Sequence, residues 1–207
     1  MRTHTKETQM ALTPQLALEI LKEGNDRFMN NLKANRNLLQ QVNETSEGQF
    51  PFAVILSCID SRVPAELIFD QGLGDIFSIR IAGNFINDDI LGSIEFACKI
   101  AGSKLIVILG HSNCGAIKGA CDNVQLGNLT KLLHRIGPAV NAVDETGDRS
   151  SNNKDFVQRV ADKNIEIAMK QLEEQSPVLK EMLHGGEVGL VGGMYSIETG
   201  EVKFKCL

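Results

Sequence analysis

A chain of 207 residues with 43% hydrophobic and 23% charged residues has the composition of an ordinary globular protein, large enough to bury about 70% of its unfolded surface without disulfide staples. Its 21 Lys+Arg against 26 Asp+Glu leave a formal charge of -5 with no basic block, which excludes a phosphate-tracking nucleic-acid surface and leaves a small molecule as the expected partner. Five cysteines, Cys58, Cys98, Cys114, Cys121 and Cys206, are an odd number in a chain too long for a disulfide miniprotein, and they point to a reducing compartment where thiols stay free to bind metal. From the N-terminus, no short apolar run leads to a cleavage site, and no stretch reaches the roughly 18 apolar residues of a membrane span; a cytoplasmic protein without membrane attachment is expected. Thr13-Pro14 reads as N-cap and first residue of a helix whose Ala17, Ile20, Leu21, Gly24 and Phe28 recur at helical spacing to about Asn31. Residues 32–49 are polar and lack strong periodicity, so 1–50 is expected to form a helical arm ahead of an α/β core over 51–207, the whole making one domain.

Within that core, apolar runs at 52–57, 76–81, 105–109 and 188–195 read as buried strands. Ile90, Leu91, Ile94, Phe96, Ala97 and Ile100 keep helical spacing behind Asp88-Asp89 and predict a helix over 88–101, while 115–124, 129–143 and 156–174 read as further helices. Short strands alternating with helices mean a central, mostly parallel sheet of about four strands with helices on its faces. The tail turns at Glu198-Thr199-Gly200-Glu201, returning 195–197 into 202–204 as a C-terminal hairpin strand.

In an open parallel sheet functional groups gather beyond the carboxyl ends of the strands. The first strand runs into Cys58-Ile59-Asp60-Ser61-Arg62, the third into Gly110-His111-Ser112-Asn113-Cys114-Gly115. If those strands are neighbours, two thiolates and an imidazole converge, a good three-ligand set for Zn²⁺ that leaves one position open for chemistry. The plainer alternative is a buried structural Cys58 with His111 capping a helix. Asp60 can reach a metal held by Cys58, and Arg62 can hold it off through a bidentate pair; alternatively Asp60 and Ser61 merely cap a short helix starting near Pro64. Gly110 to Gly115 lacks the Lys-Ser/Thr of a phosphate loop, and Gly72-Leu73-Gly74 lacks the third glycine of a dinucleotide site. Cys114 with His111 as its base would be a weaker nucleophilic pair. Cys98, Cys121 and Cys206 read as plain thiols, and His4, His134 and His184 have no ligand partner at useful spacing.

Cys58-x-Asp60-Ser61-Arg62, followed about fifty residues later by Gly110-His111-Ser112-x-Cys114-Gly115, resembles the β-class carbonic anhydrases, and the likeness extends through 80–84, 92–97 and 105–110. The resemblance implies one Zn²⁺ per chain on Cys58, His111 and Cys114, with Asp60 and Arg62 as the dyad beside it and Asp60 as an alternative fourth ligand in a closed state. It implies that Gln49 hydrogen-bonds the substrate, that Gly115 lies at the substrate, and that Phe77, Ala82 and Phe96 line an apolar CO₂ pocket partly supplied by a neighbouring subunit. Read alone, Phe77 and Phe96 would be core residues. Phe96 stands where tyrosine is frequent and Ala82 where a larger aliphatic is usual. Some bacterial members carry a second, inhibitory bicarbonate site around a tryptophan three residues before the first zinc cysteine; here Ile55 stands there, the chain has no Trp, and that site is expected to be missing.

The implied activity is reversible hydration of carbon dioxide to bicarbonate and a proton by zinc-bound hydroxide, in a homodimer or tetramer with the site near the subunit interface. Two thiolates cancel the charge of the metal, so water there should be less acidic than the value of about 7 at an all-histidine site, and activity should climb toward alkaline pH. The rivals are a CS₂-type hydrolase on the same scaffold, a catalytically silent zinc-stabilised interaction protein and a cysteine hydrolase. Metal content and CO₂ hydration separate them.

Overall fold

The computed structural model describes residues 2–205, so Cys206 lies outside the described residues. Five strands form one sheet in the order β2-β1-β3-β4-β5, from β1 (Ala53–Ser57), β2 (Ile76–Arg80), β3 (Leu105–His111), β4 (Gly189–Tyr195) and β5 (Val202–Lys205). The first four are parallel, and β5 returns antiparallel to β4 with Tyr195 opposite Val202 and Gly193 opposite Phe204. The hairpin therefore pairs up to Tyr195, and Ile197 belongs to its turn.

The central strands β1 and β3 are buried along their whole length. That is the expected fate of continuous apolar runs in a parallel sheet covered on both faces. On one face Val54, Leu56, Ile106 and Ile108 meet α5 (Asp88–Glu95), the long α9 (Lys154–Gln175) and α10 (Pro177–His184). On the other, Ile55, Val107 and Leu109 meet α2 (Pro14–Met29) and the single turn α4 (Ala65–Ile68). A third cluster at the carboxyl end of the sheet packs Cys58 and Cys114 among Ile117 of α6 (Gly115–Cys121), Leu133 of α7 (Gly127–His134), Ala139 of α8 (Gly137–Ala142) and Phe156 of α9.

Four departures from the sequence reading have physical causes. The polar stretch 32–49 contains α3 (Leu38–Thr45), capped by Asn37. It buries Gln41 and exposes Leu38, Leu39 and Val42, so its apolar periodicity points away from the core. A short α1 (Lys6–Met10) precedes α2, held by a capping box between Thr5 and Thr8. The helix expected over 88–101 is α only to Glu95 and continues as a π-helical turn over Phe96–Ile100. The wider turn shifts the phase of the apolar face, leaving Ala97 and Cys98 buried but Phe96 and Ile100 exposed. The helix expected over 129–143 is broken into α7 and α8, with Pro138 in the first turn of the second.

Candidate metal centre

β1 and β3 are adjacent, with Ser57 opposite Leu109. Cys58, the first residue beyond β1, therefore meets the end of β3, whose last residue is His111. Asn113, at φ 58, takes the left-handed turn that asparagine tolerates, and Cys114 follows as N-cap of α6. The strand-neighbour condition on which the three-residue cluster depends is met.

The donor atoms of Cys58, His111 and Cys114 all lie within 4.8 Å of one another, and all three residues are buried. The Cys58 and Cys114 sulfurs are 3.9 Å apart. Two thiolates on one tetrahedral zinc, with bonds of about 2.3 Å, require a separation of about 3.8 Å. His111 shares a hydrogen bond between Nδ1 and the Ser112 carbonyl at 3.0 Å, which fixes the ring. Among the described residues its buried Nε2 has no hydrogen-bond partner. A buried imidazole nitrogen left unsatisfied among sulfurs is costly unless it donates its lone pair to a cation, and this donor set, soft sulfur with borderline nitrogen, fits zinc. The sulfurs are strongly coupled: the bond to Cys114 lowers the Cys58 thiol pKa despite burial, helped by His111 and the Gly83 N–H, while the bond to Cys58 and burial raise that of Cys114.

Asp60 stands beside this cluster, its Oδ2 3.9 Å from His111 Nε2 and beyond hydrogen-bond range. Arg62 grips it through Nε to Oδ1 at 2.9 Å, Nη2 to Oδ2 at 2.7 Å and its backbone N–H to Oδ1 at 3.0 Å. That grip holds the Asp60 carboxyl well below the usual carboxylate range, against some desolvation. Arg80 clamps the same loop from β2, donating to the Cys58 carbonyl at 3.0 Å and the Asp60 carbonyl at 2.7 Å. Gly83 donates its N–H to Cys58 Sγ at 3.4 Å. Its φ of 82 favours glycine, and a Cβ there would come within 2.5 Å of Ile136 Cδ1, which would have to move aside. At Gly115, by contrast, a Cβ would meet nothing within 4 Å.

The other expected residues divide. Ala82 adjoins Gly83 and Gly115 adjoins Cys114, so both border the cluster. Gln49 is exposed and precedes β1, whose five residues span about 17 Å, so it lies at the opposite end of the strand from Cys58. Phe77, opposite Val54, and the exposed Phe96 meet edge to face at 6.3 Å and line an outward-facing cavity of about 570 Å³ with Ser78, Ile79, Asp88, Asp89, Gly92 and Ser93. None of the three cluster residues reaches that cavity. Burial pushes the Cys98 thiol up to about 12 and the Cys121 thiol up to about 11, in keeping with plain thiols.

The model of the carbonic anhydrase family matches residues 53–202, which include the whole cluster, the Asp60–Arg62 pair and all strands but the last part of β5. The chain belongs to the carbonic anhydrase family. Carbonic anhydrase 2 of Mycobacterium tuberculosis is 37% identical over 195 residues, covering 90% of each chain. The carbonic anhydrase of Mycolicibacterium smegmatis is 33% identical over 199 residues, covering 93% of each. The crystal structure of the β-carbonic anhydrase CafA of Aspergillus fumigatus superimposes with a TM-score of 0.71 at 25% identity, over 92% of this chain and 89% of that one. The fold is thus that of a β-class carbonic anhydrase. Sequence reasoning assigned no role to Arg80 or Gly83, although both fall in the run 80–84 that carries the family likeness, and it missed Asn164, whose Nδ2 donates to the Gly83 carbonyl at 2.8 Å from the middle of an apolar helix face. Only the contact, not the sequence, distinguishes that asparagine from any helix polar residue.

Proposed function

We propose that this protein interconverts carbon dioxide and bicarbonate at a zinc ion held by Cys58, His111 and Cys114. The observation that carries the reading is the convergence of two sulfurs 3.9 Å apart on a buried, unpartnered imidazole nitrogen, inside a carbonic anhydrase fold. Zinc bound there supplies a Lewis acid that brings the ionisation of water toward neutral pH. The chain's own groups do the rest. Three protein donors leave one tetrahedral position for a reactant. Asp60, ionised throughout the physiological range and fixed by Arg62, accepts a hydrogen bond from whatever occupies that position and orients it; it is too acidic to store the released proton. Arg62 keeps the same carboxylate from becoming a fourth protein ligand.

Gln49, Phe77 and Phe96 cannot serve the cluster of their own chain, and we assign them to the site of a second copy. Two observations support this: Gln49 and Phe96 are exposed, and Phe96 with the half-buried Phe77 of edge strand β2 forms the aromatic wall of an outward-facing cavity. The protein is accordingly proposed to act as a homo-oligomer. The free state of Cys58, Cys98, Cys114 and Cys121 suits a reducing compartment such as the cytoplasm, and among the described residues no helix is long and apolar enough to cross a membrane. The test is loss of ¹⁸O from labelled bicarbonate into water, with metal analysis of the same samples. Wild type should exchange label and carry about one zinc per chain, whereas Cys58→Ser and Cys114→Ser should lose both. Full zinc in either variant would overturn the ligand assignment, label exchange by zinc-free wild type would overturn the role of the metal, and exchange no faster than the uncatalysed rate by zinc-loaded wild type would overturn the reaction.

A further inference from the structure

α9 turns Val157, Val160, Ala161, Ile165 and Ala168 into the core, and Asn164 lies among them, only 3% exposed. A buried side-chain amide is costly unless its hydrogen bonds are made. Asn164 Nδ2 makes one across 81 residues of sequence, to the Gly83 carbonyl at 2.8 Å. Gly83 is the residue whose N–H points at Cys58 Sγ. The chain there needs holding: Gly83 and Asn84 are successive residues with positive φ, 82 and 38, and glycine resists rotation less than any other residue. Ile136 blocks movement on one side of Gly83, and Asn164 ties its carbonyl on the other.

We propose that Asn164 is a positioning residue for the metal centre: by anchoring the Gly83 carbonyl it aims the Gly83 N–H at Cys58 Sγ and so sets how tightly that sulfur's site holds zinc. The inference rests on the zinc reading above. An N–H donor lowers the energy of the sulfur lone pairs and fixes the direction in which they point, and partners of this outer kind typically change metal affinity by about 10- to 100-fold. The N–H and the carbonyl lie on the two peptide planes that meet at the Gly83 Cα, so without the anchor the φ and ψ of this glycine are free to change and the donor leaves the sulfur.

The experiment compares wild type, Asn164→Leu and Asn164→Ala. Zinc affinity is read by competition with a chromophoric chelator, the sulfur-to-metal charge-transfer band is read on the Co²⁺-loaded proteins, and the Tm of the metal-free forms controls for folding. Both variants should bind zinc about 10- to 100-fold more weakly and move the cobalt band to longer wavelength, because a sulfur without its donor gives up charge more easily. Leucine fills the amide's volume but leaves the Gly83 carbonyl without its donor, so its metal-free Tm should fall by a few degrees while the protein stays folded. If leucine packs badly, alanine carries the comparison. A folded variant with unchanged zinc affinity overturns the proposal, even if its Tm has fallen. A wild type that binds no zinc overturns the metal reading and this inference with it, whereas wild type and variants binding zinc equally well remove this inference alone.

Discussion

Arg62 spends three donors on one carboxylate that lies beside, not in, the cysteine-histidine cluster. The side chain is half exposed, so its pairing adds little to stability, and its geometry is better explained by what it prevents. Arg62→Ala should leave Tm and zinc content near wild type while CO₂ hydration falls by about tenfold or more, since Asp60 is then free to turn onto the metal. Full activity in that variant would reduce the pair to a local turn, in which Asp60 Oδ1 accepts from the Arg62 N–H and no side chain caps α4. At this scale the sequence was informative where chemistry is carried by residue type: Cys58, Asp60, Arg62, His111 and Cys114 are all recognisable from side-chain identity and spacing. Arg80, Gly83 and Asn164 were not, because each acts by where its N–H groups point, and that direction is set by strands and helices distant in sequence.

Among the elements, the strands were legible because continuous apolar runs leave little else to be, and α2 because Thr13-Pro14 announces it. The same signature, Ser176-Pro177, opens α10, with Ser176 Oγ accepting from the Leu179 N–H, and could have been read. α3 could not, since its buried residue is glutamine and its leucines face out. The segment before α3 is tied to the core through Asp70, which bonds the Arg27 Nε and Arg36 Nη1 at 2.6 Å each and the Ala34 N–H at 3.0 Å. Burial raises the Asp70 pKa, but Arg27, the Ala34 N–H and Arg36 outweigh it and leave the carboxyl below its ordinary value. Asp70→Asn isolates the charge, because asparagine tolerates the φ of 43 and can still accept from Ala34. It should cost about 2–3 kcal/mol at pH 7, the low end for a broken buried pair because Arg27 is a quarter exposed. A depressed folded pKa stabilises above the unfolded value and is lost as pH falls through the folded one. The Tm gap between wild type and variant should therefore hold from about pH 5 to 8 and close below about pH 4. A gap independent of pH would mean that the carboxylate charge contributes nothing.

At the scale of the whole molecule, the proposed site draws on two ends of one strand: Cys58 beyond the carboxyl end of β1 and Gln49 before its start. If a second copy supplies Gln49, a Gln49→Ala chain and a Cys58→Ser chain, each weak alone, should regain activity when denatured together and refolded. In a two-fold dimer random mixing would restore about a quarter of the sites. A mixture no more active than the mean of its parents would place each site within one chain. Beneath these predictions lies a single claim, that this fold hydrates CO₂ through the metal its two cysteines and histidine hold. The direct measurement is the stopped-flow rate of CO₂ hydration, followed by a pH indicator, for the protein as isolated, after zinc is stripped by a chelator, and after zinc is restored. The account predicts a rate well above the uncatalysed reaction, its loss with the metal and its return in proportion to zinc regained; a rate that survives full removal of zinc, or never exceeds the buffer alone when one zinc is bound per chain, would contradict it.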